Sequence, residues 1–225
     1  RGVLPTLTAG DLVATVPQLA QVATLTAQSF RLLPGWQVTL EDLLALAVEV
    51  RKRIAAGADG IVVTQGTDTI EETAFGLDLL VAGDAPLVVT GAMRNPTLPG
   101  ADGPANLLAA VTVAASPRAR GLGALVVFND EVHAARYVQK THTQSPAAFR
   151  SRQVGPIGWL AEGAPVIALR PMRRHHVDLP EGAPICPVAL VTLALGDDGR
   201  LLGALQGLGY RGVVIEGLGG GHAPR

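Results

Sequence analysis

Three segments of the chain carry residue types that could act together on a substrate. The first, GIVVTQGTDTIEETA, covers residues 60–74 and places Gly66, Thr67 and Asp68 between an apolar run and a helical pattern. A glycine there lets a ligand approach the backbone, and a helix start offers free N–H groups to an anion. The same residue types also cap helices, and for an isolated segment capping is the commoner role. A functional interpretation therefore needs support from other parts of the chain.

The second segment, GAMRNPTLPGADGPAN, covers residues 91–106 and leads from an apolar run through a Pro- and Gly-rich loop into another helical pattern. Asp102 stands where this helix begins, and taken alone it is predicted to be an N-cap rather than a catalytic group. Arg94 could bind a carboxylate, although an ordinary salt bridge is the commoner role of such an arginine.

The third segment, YVQKTHT, covers residues 137–143 and places Lys140 beside two threonines. A lysine withdrawn from water can take a proton from a hydroxyl, whereas an isolated lysine is usually a solvated surface charge. His142 and the pair His175 and His176 lack the neighbouring ligands that zinc requires. No metal or organic cofactor is predicted.

Apolar runs alternate with helical patterns around these segments. Strands are predicted at 60–64, 87–91 and 124–129, and helices at 40–56, 70–81 and 103–115. This alternation indicates an α/β fold with a mainly parallel sheet, helices on its flanks and right-handed crossovers. Continuous β-branched runs predict strands that are buried on both faces. Ligands of such sheets bind beyond the carboxyl ends of the strands, in the loops where the three segments lie.

The composition changes after residue 169. The stretch LRPMRRHHVDLPEGAP predicts a linker over 170–187, between a large α/β domain (1–169) and the start of a smaller α/β domain (188–225). In the smaller domain, buried strands are predicted at 188–195 and 212–216, with a short helix at 200–207. Because a buried strand is normally followed by a covering helix, the glycine-rich end predicts that this domain is incomplete.

Composition excludes several classes of function. The 225 residues carry a formal net charge of −1 and the basic residues are scattered, so nothing provides the one-sided positive field that nucleic acids or anionic membranes favour. The apolar runs are far shorter than the roughly 20 residues of a membrane span. The single cysteine, Cys186, is predicted to be a buried thiol without a disulfide partner, which favours a reducing, cytoplasmic compartment; a periplasmic or secreted location stays open as the alternative.

The order of the three segments resembles one protein family. GTDT with EETA, GAMR with ADGPAN, and KTHT followed by AFRSRQVGPIG are similar to motifs of the bacterial-type L-asparaginase and glutaminase-asparaginase family, and the likeness runs from about residue 2 to 224. The resemblance implies an amidohydrolase that converts L-asparagine to L-aspartate and ammonia through threonine-based nucleophilic catalysis, with glutaminase side activity. It also implies a homodimer or homotetramer whose active sites are shared across an intimate dimer.

By matching motif positions, the resemblance implies a catalytic set of Thr67, Asp68 and Lys140. Thr67 would activate or hold the attacking group, Lys140 would assist removal of its proton, and Asp68 would bind the substrate's α-ammonium. The backbone at Gly66 and Ala92 would lie against the substrate amide. These roles are chemically consistent, since a carboxylate pairs with an ammonium and a hydroxyl needs a base at hydrogen-bond distance.

Two departures from the family pattern bear on activity. The family's G-G-T-I loop, with its first nucleophilic threonine, would lie upstream; Thr6 and Thr8 follow it and are predicted to line a turn and cap the helix at Asp11. Gly35 and Trp36 stand in the segment that would bind the substrate's α-carboxylate, where the family commonly has Ser-Gln or Ser-Pro. Loss of a buried serine hydroxyl there predicts weaker asparagine binding, by about 1–3 kcal/mol, or an altered substrate preference.

These departures leave a second hypothesis open, an asparaginase-like but inactive amino-acid-binding protein or subunit. A third is the related amidotransferase subunit that supplies ammonia to a charged transfer RNA. It ranks last, because IEETA resembles the free asparaginases and the sequence shows no basic tract for RNA. The hydrolase predicts ammonia release, whereas the second hypothesis predicts amino-acid binding without turnover.

Overall fold

The computed structural model describes residues 5–172, 175–180 and 182–224. They form two compact units: the large unit extends to Leu179, and the small unit begins at Pro180. This division falls inside the segment 170–187, for which the sequence predicts a linker. Among the described residues, no helix is both long enough and apolar enough to cross a membrane.

The large unit contains helices and a main sheet whose strands lie side by side in the order in which they occur along the chain. Its elements are α1 (Ala9–Ala14), α2 (Leu19–Val22), α3 (Leu40–Ala55), β1 (Ile61–Thr64), α4 (Ile70–Leu80), β2 (Leu87–Thr90), α5 (Gly103–Ala114), β3 (Ala124–Phe128), β4 (Glu131–Ala134), β5 (Gln139–Lys140), β6 (Phe149–Arg150), β7 (Gly158–Ala161) and β8 (Ala164–Ile167).

In the described part of the chain, the main sheet has six strands in the order β1-β2-β3-β4-β7-β8. β1, β2 and β3 are parallel, with Val62 opposite Val88 and Val88 opposite Leu125. β4, β7 and β8 extend the sheet as antiparallel strands. They were not predicted: β4 contains the polar residues Glu131 and His133, and β7 and β8 contain Gly158 and Pro165, residue types that are depleted in strand interiors. The α/β class itself is confirmed.

Side chains of β2 alternate between two hydrophobic clusters. Leu87 and Val89 pack with residues of α3 and α4, whereas Val88 packs with residues of α5. Every residue of β2 and β3 is buried, as the apolar runs predict. In β1, by contrast, three residues are half-buried and Thr64 is exposed, because β1 lies at the edge of the described sheet. The prediction of burial on both faces is therefore wrong for the first strand.

The three predicted helices of the large unit form close to their expected bounds because the sequence contains local start signals. Thr39 Oγ1 accepts the Asp42 N–H at 3.2 Å, and the Asp42 carboxylate accepts the Thr39 N–H at 3.2 Å, so a capping box begins α3. The last turn of α3 carries Lys52 and Arg53, which interact favourably with the helix dipole. α4 has Glu71 and Glu72 in its first turn and begins directly after the GTDT turn, which therefore lies between the carboxyl end of β1 and the start of this helix.

The small unit contains β9 (Val188–Thr192), α6 (Arg200–Ala204) and β10 (Gly212–Glu216). β9 and β10 pair in parallel, with Leu190 opposite Val214. Ala189 and Val191 of β9 pack with Leu205, while Leu190 is 70% exposed and Val214 is 56% exposed. The predicted burial of both strands is therefore wrong, since β9 buries one face and β10 is largely exposed.

Cys186 lies just before β9 and is exposed, so the prediction of a buried thiol is also wrong. Pro184 and Pro187 flank it at close range. Proline lacks a backbone N–H and fixes its own φ, which keeps this segment out of helices and sheet ladders. The exposed thiol lies outside the helices and strands of the small unit.

Candidate active site

Two loops at the carboxyl ends of β1 and β2 run backbone against backbone. The N–H of Gln65 donates to the carbonyl oxygen of Thr90 at 3.1 Å, so the two strands stay paired as far as their loops. A Cβ placed on Gly91 would lie 2.4 Å from the carbonyl oxygen of Gln65, which is closer than real side chains approach a backbone. Glycine at this position therefore lets the GAMR loop approach the GTDT turn.

The GTDT turn places two side chains in contact with Lys140. Residues Thr67–Thr69 form a short 3-10 turn between β1 and α4. Lys140 Nζ donates to Thr67 Oγ1 at 2.8 Å and to Asp68 Oδ1 at 3.2 Å. The Lys140 side chain is 17% exposed, which differs from a solvated surface charge, and that of Asp68 is 48% exposed. The structure thus brings together the three residues of the implied catalytic set, and these side chains contact one another instead of capping α4.

A hairpin and a glutamate hold Lys140 in this position. Lys140 lies in β5 and pairs with Phe149 of β6, whose buried ring packs on Phe128 with 4.7 Å between the ring centroids. The backbone N–H of Lys140 donates to the carboxylate of Glu71, in the first turn of α4. The GTDT turn therefore contacts the ammonium of Lys140, and the first turn of α4 contacts its backbone. Glu71 was missed as a site residue, because the helix dipole alone explains a glutamate in a first turn.

The Gly35–Gln37 turn packs directly on the GTDT turn. Thr69 Oγ1 donates to the Gly35 carbonyl oxygen at 2.9 Å, and a Cβ on Gly35 would lie 2.8 Å from the carbonyl oxygen of Gly66. A side chain at position 35 would therefore push this turn away from Gly66. Gly35 acts through close packing, and the neighbouring Trp36 is 51% exposed.

All the predicted site residues line one open groove of the large unit, about 2170 Å³ in volume: Gly35, Trp36, Gly66, Thr67, Asp68, Ala92 and Lys140. Pockets for small molecules usually measure roughly 300–1,000 Å³. The groove is therefore larger than such a pocket, and the predicted residues form only part of its lining.

Asp102 and Asn106 tie the GAMR loop to the start of α5. The Asp102 carboxylate accepts the N–H groups of Met93 and Arg94, each at 2.9 Å, and the side-chain amide of Asn106 at 3.1 Å. Asp102 occupies the predicted N-cap position, but its side chain binds the loop instead of capping the helix. The Arg94 guanidinium donates to the carbonyl oxygen of Gly100 at 2.8 Å, so the expected salt bridge is replaced by a bond to the backbone.

Thr8 caps α1, as predicted. Its Oγ1 accepts the Asp11 N–H at 3.2 Å, and the Asp11 carboxylate accepts the Thr8 N–H at 2.8 Å. The Thr8 hydroxyl also donates to the Asp11 carboxylate at 2.7 Å, and this bond, together with that from the Thr8 N–H, holds the pKa of Asp11 below its usual value. The Thr8 hydroxyl is therefore engaged in helix capping.

Histidines contribute to local structure. His133 of β4 is fully buried, with Nδ1 3.0 Å from Ser151 Oγ and Nε2 3.3 Å from Glu131 Oε2. Burial lowers the pKa of His133, and the Glu131 carboxylate opposes that shift. His142 Nδ1 accepts two backbone N–H groups of its own turn. Within the described residues, no group of three or more His, Cys, Asp or Glu side chains is arranged to hold a metal ion.

Comparison with known proteins places these motifs in a family. A protein-family model described as "Asparaginase, N-terminal" matches residues 1–173. L-asparaginase 2 of Bacillus subtilis (strain 168) is 36% identical over 223 residues, which cover 94% of this chain and 57% of that protein. A glutaminase-asparaginase of Pseudomonas aeruginosa is 35% identical over 219 residues, which cover 95% of this chain and 60% of that protein.

The fold points to the same relatives. The crystal structure of a probable cytoplasmic L-asparaginase from Campylobacter jejuni matches with a TM-score of 0.89 at 33% identity, covering 94% of this chain and 67% of that chain. This chain spans 57% and 60% of the length of the two curated relatives. Because the family model matches most of the chain and the fold agrees with it, the chain belongs to the asparaginase family.

Proposed function

We propose that the complete protein is an L-asparaginase-type amidohydrolase that converts L-asparagine and water to L-aspartate and ammonia, with glutaminase side activity. The observation that carries this proposal is the pair of hydrogen bonds from Lys140 Nζ to Thr67 Oγ1 at 2.8 Å and to Asp68 Oδ1 at 3.2 Å. The names of the relatives, L-asparaginase and glutaminase-asparaginase, support the same substrates.

Lys140 prepares the Thr67 hydroxyl for acyl chemistry. An ammonium that donates to Thr67 Oγ1 stabilises negative charge that develops on this oxygen, and an uncharged amine at the same place would accept its proton. Because the Lys140 side chain is 17% exposed, water screens this interaction less than it would at the surface. Thr67 would thereby activate or hold the attacking group.

Asp68 supplies negative charge for the substrate's α-ammonium. One of its carboxylate oxygens lies 3.2 Å from Lys140 Nζ. A carboxylate accepts about four hydrogen bonds, so Asp68 retains acceptor capacity for a ligand in the groove. Since Asp68 directly follows Thr67, a substrate bound through its ammonium would be held close to the reacting hydroxyl.

The remaining chemistry concerns the substrate amide. In the overall reaction an oxygen from water bonds to the side-chain carbonyl carbon, the C–N bond breaks, and the nitrogen takes a proton and leaves as ammonia. Negative charge develops on the carbonyl oxygen during the attack, and backbone N–H groups stabilise such charge effectively. Gly66 and Ala92, which both line the groove, would supply this backbone.

Ammonia release tests the proposal. Protein expressed from the complete reading frame is assayed with L-asparagine and, separately, with L-glutamine, beside Thr67→Ala and Lys140→Met. We expect turnover in the unmodified protein and a loss of about 1,000-fold or more in both variants, because each removes one partner of the Lys140–Thr67 hydrogen bond.

Two matched controls separate this effect from a general loss of stability. Thr15→Ala removes an exposed hydroxyl that bonds to Leu12 in the backbone of α1, and Lys52→Met removes an exposed charge from α3. Both variants should keep their activity. If the folded, unmodified protein binds L-asparagine in a calorimeter without releasing ammonia, the amidohydrolase is refuted and the inactive binding protein takes its place.

We further propose a homodimer or homotetramer and a cytoplasmic location. The assembly rests on the family resemblance, and light scattering on the purified protein should return two or four times the protomer mass. The relative of known structure from Campylobacter jejuni, a probable cytoplasmic L-asparaginase, supports the compartment. Cell fractionation that recovers the activity outside the cytoplasm would contradict it.

A further inference from the structure

The Asp102 carboxylate accepts hydrogen bonds from two consecutive backbone N–H groups of the GAMR loop. Its Oδ2 accepts the Met93 N–H and its Oδ1 accepts the Arg94 N–H, both at 2.9 Å. The Asn106 side-chain amide donates to the same Oδ2 at 3.1 Å. Two oxygens that bind two successive N–H groups restrict the orientation of both peptide planes, since each hydrogen bond weakens when it departs from linearity.

Asn106 extends this network to two strand ends. Its side chain is 3% exposed and donates to the carbonyl oxygen of Gly91 at 3.0 Å. Its Oδ1 accepts the N–H of Asn129, the residue that follows β3, at 3.0 Å. The first turn of α5 thus connects the ends of β2 and β3 through a buried amide, and it holds the GAMR loop on the sheet.

Ala92 lies between the held peptide units. Gly91 before it and Met93 after it are bound by Asn106 and Asp102, respectively. Among the described residues, the backbone N–H and C=O of Ala92 have no hydrogen-bond partner. Ala92 and Thr67 both line the groove of the large unit.

We propose that Asp102 is a positioning residue of the amidohydrolase: it fixes the peptide units after Ala92, so that the free backbone groups of Ala92 stay aligned with the substrate amide. This inference rests on the proposed function. Asp102 acts through the loop and does not touch the substrate. When a mutation away from the reacting atoms misplaces a substrate-binding group by about 1 Å, the reaction rate can fall about 100-fold.

The chemistry of the side chain predicts a graded series of variants. Asp102→Asn offers one acceptor oxygen and turns an NH₂ group towards a backbone N–H, so one of the two peptide units loses its acceptor. Asp102→Ala removes all three hydrogen bonds. The binding of the α-ammonium at Asp68 involves a different loop, so KM should change less than kcat.

The experiment combines kinetics with hydrogen exchange on the complete protein. We expect kcat for L-asparagine to fall about 10-fold in Asp102→Asn and about 100-fold in Asp102→Ala, with KM within about threefold of the unmodified protein. Amide exchange should accelerate about 10-fold or more at both Met93 and Arg94 in Asp102→Ala, and at one of the two in Asp102→Asn, because those N–H groups lose their acceptor. Asp42→Asn is the matched control, since it removes a carboxylate that accepts a backbone N–H at the start of α3.

Each outcome decides the inference. A fall in kcat that accompanies faster exchange in the loop, but not in Asp42→Asn, supports it. Unchanged exchange at Met93 and Arg94 refutes the holding role, and faster exchange with kcat within twofold of the unmodified protein refutes the catalytic consequence. If the unmodified protein releases no ammonia, the proposed function fails, and the exchange rates still decide whether Asp102 holds the loop.

Discussion

Glu71 offers a sharp test of how the fold positions Lys140. Its carboxylate accepts the backbone N–H of Lys140, while Thr67, one turn earlier, receives the ammonium of the same residue. We predict that Glu71→Ala lowers kcat/KM for L-asparagine, because the β5 backbone loses its contact with the start of α4. Glu71→Gln should lower it less, since its amide oxygen can still accept the N–H.

The size of the effect follows from the hydrogen bond. A hydrogen bond to a charged group contributes about 1.5–3 kcal/mol, and one between neutral groups about 0.5–1.5 kcal/mol. Each 1.36 kcal/mol changes a rate tenfold. If the hydrogen-bond free energy lost on mutation raises the activation barrier by displacing Lys140, kcat/KM falls about 10- to 150-fold in Glu71→Ala and about fivefold in Glu71→Gln.

Steady-state ammonia release from L-asparagine measures these values, with thermal unfolding as a check on folding. Glu72→Ala is the matched control, because Glu72 is an exposed residue of the same helical turn and loses the same interaction with the helix dipole, about 0.3–1 kcal/mol. A Glu71→Ala protein whose kcat/KM stays within twofold of the unmodified enzyme would show that Lys140 is positioned without Glu71. Equal losses in Glu71→Ala and Glu72→Ala would attribute the effect to α4 as a whole.

Two further predictions concern stability and packing. Burial holds the pKa of His133 below its ordinary value of 6.5, so the contribution of neutral His133 to folding stability is present above pH 6.5 and is lost as the pH falls. The unfolding temperature should therefore drop between pH 7 and pH 5, and it should drop less in His133→Gln. Equal drops in the two proteins would contradict this role. Gly35→Ala should destabilise the protein by about 1–3 kcal/mol and lower kcat/KM, because its Cβ would lie 2.8 Å from the Gly66 carbonyl oxygen. Gly203→Ala, which meets open space in α6, should be neutral or stabilising in the same denaturant titrations, and equal effects of the two changes would refute the packing argument.

The sequence predicted the central part of the fold well because its signals are local. β2 and β3 are continuous apolar runs, and α3 starts at the Thr39 capping box, so a short window contains the information for each. Burial was predicted less well, since it depends on neighbouring residues in space that a short stretch of sequence does not contain. β1 lies at the edge of the described sheet, β10 is largely exposed, and Cys186 is on the surface.

Identification of the candidate site required both the sequence and the tertiary structure. The order of the motifs in the sequence was enough to single out Thr67, Asp68 and Lys140 and to indicate the asparaginase family, although each residue alone is more often structural. Only the tertiary structure shows Lys140 Nζ within hydrogen-bond distance of two side chains that lie 73 and 72 positions away in the chain. Glu71 and Asp102 read as ordinary helix-start residues, and their bonds to Lys140 and to the GAMR loop join segments with no shared local pattern. Residue types therefore determined which chemistry was available, and chain folding decided which groups meet, because a hydrogen bond forms between neighbours in space.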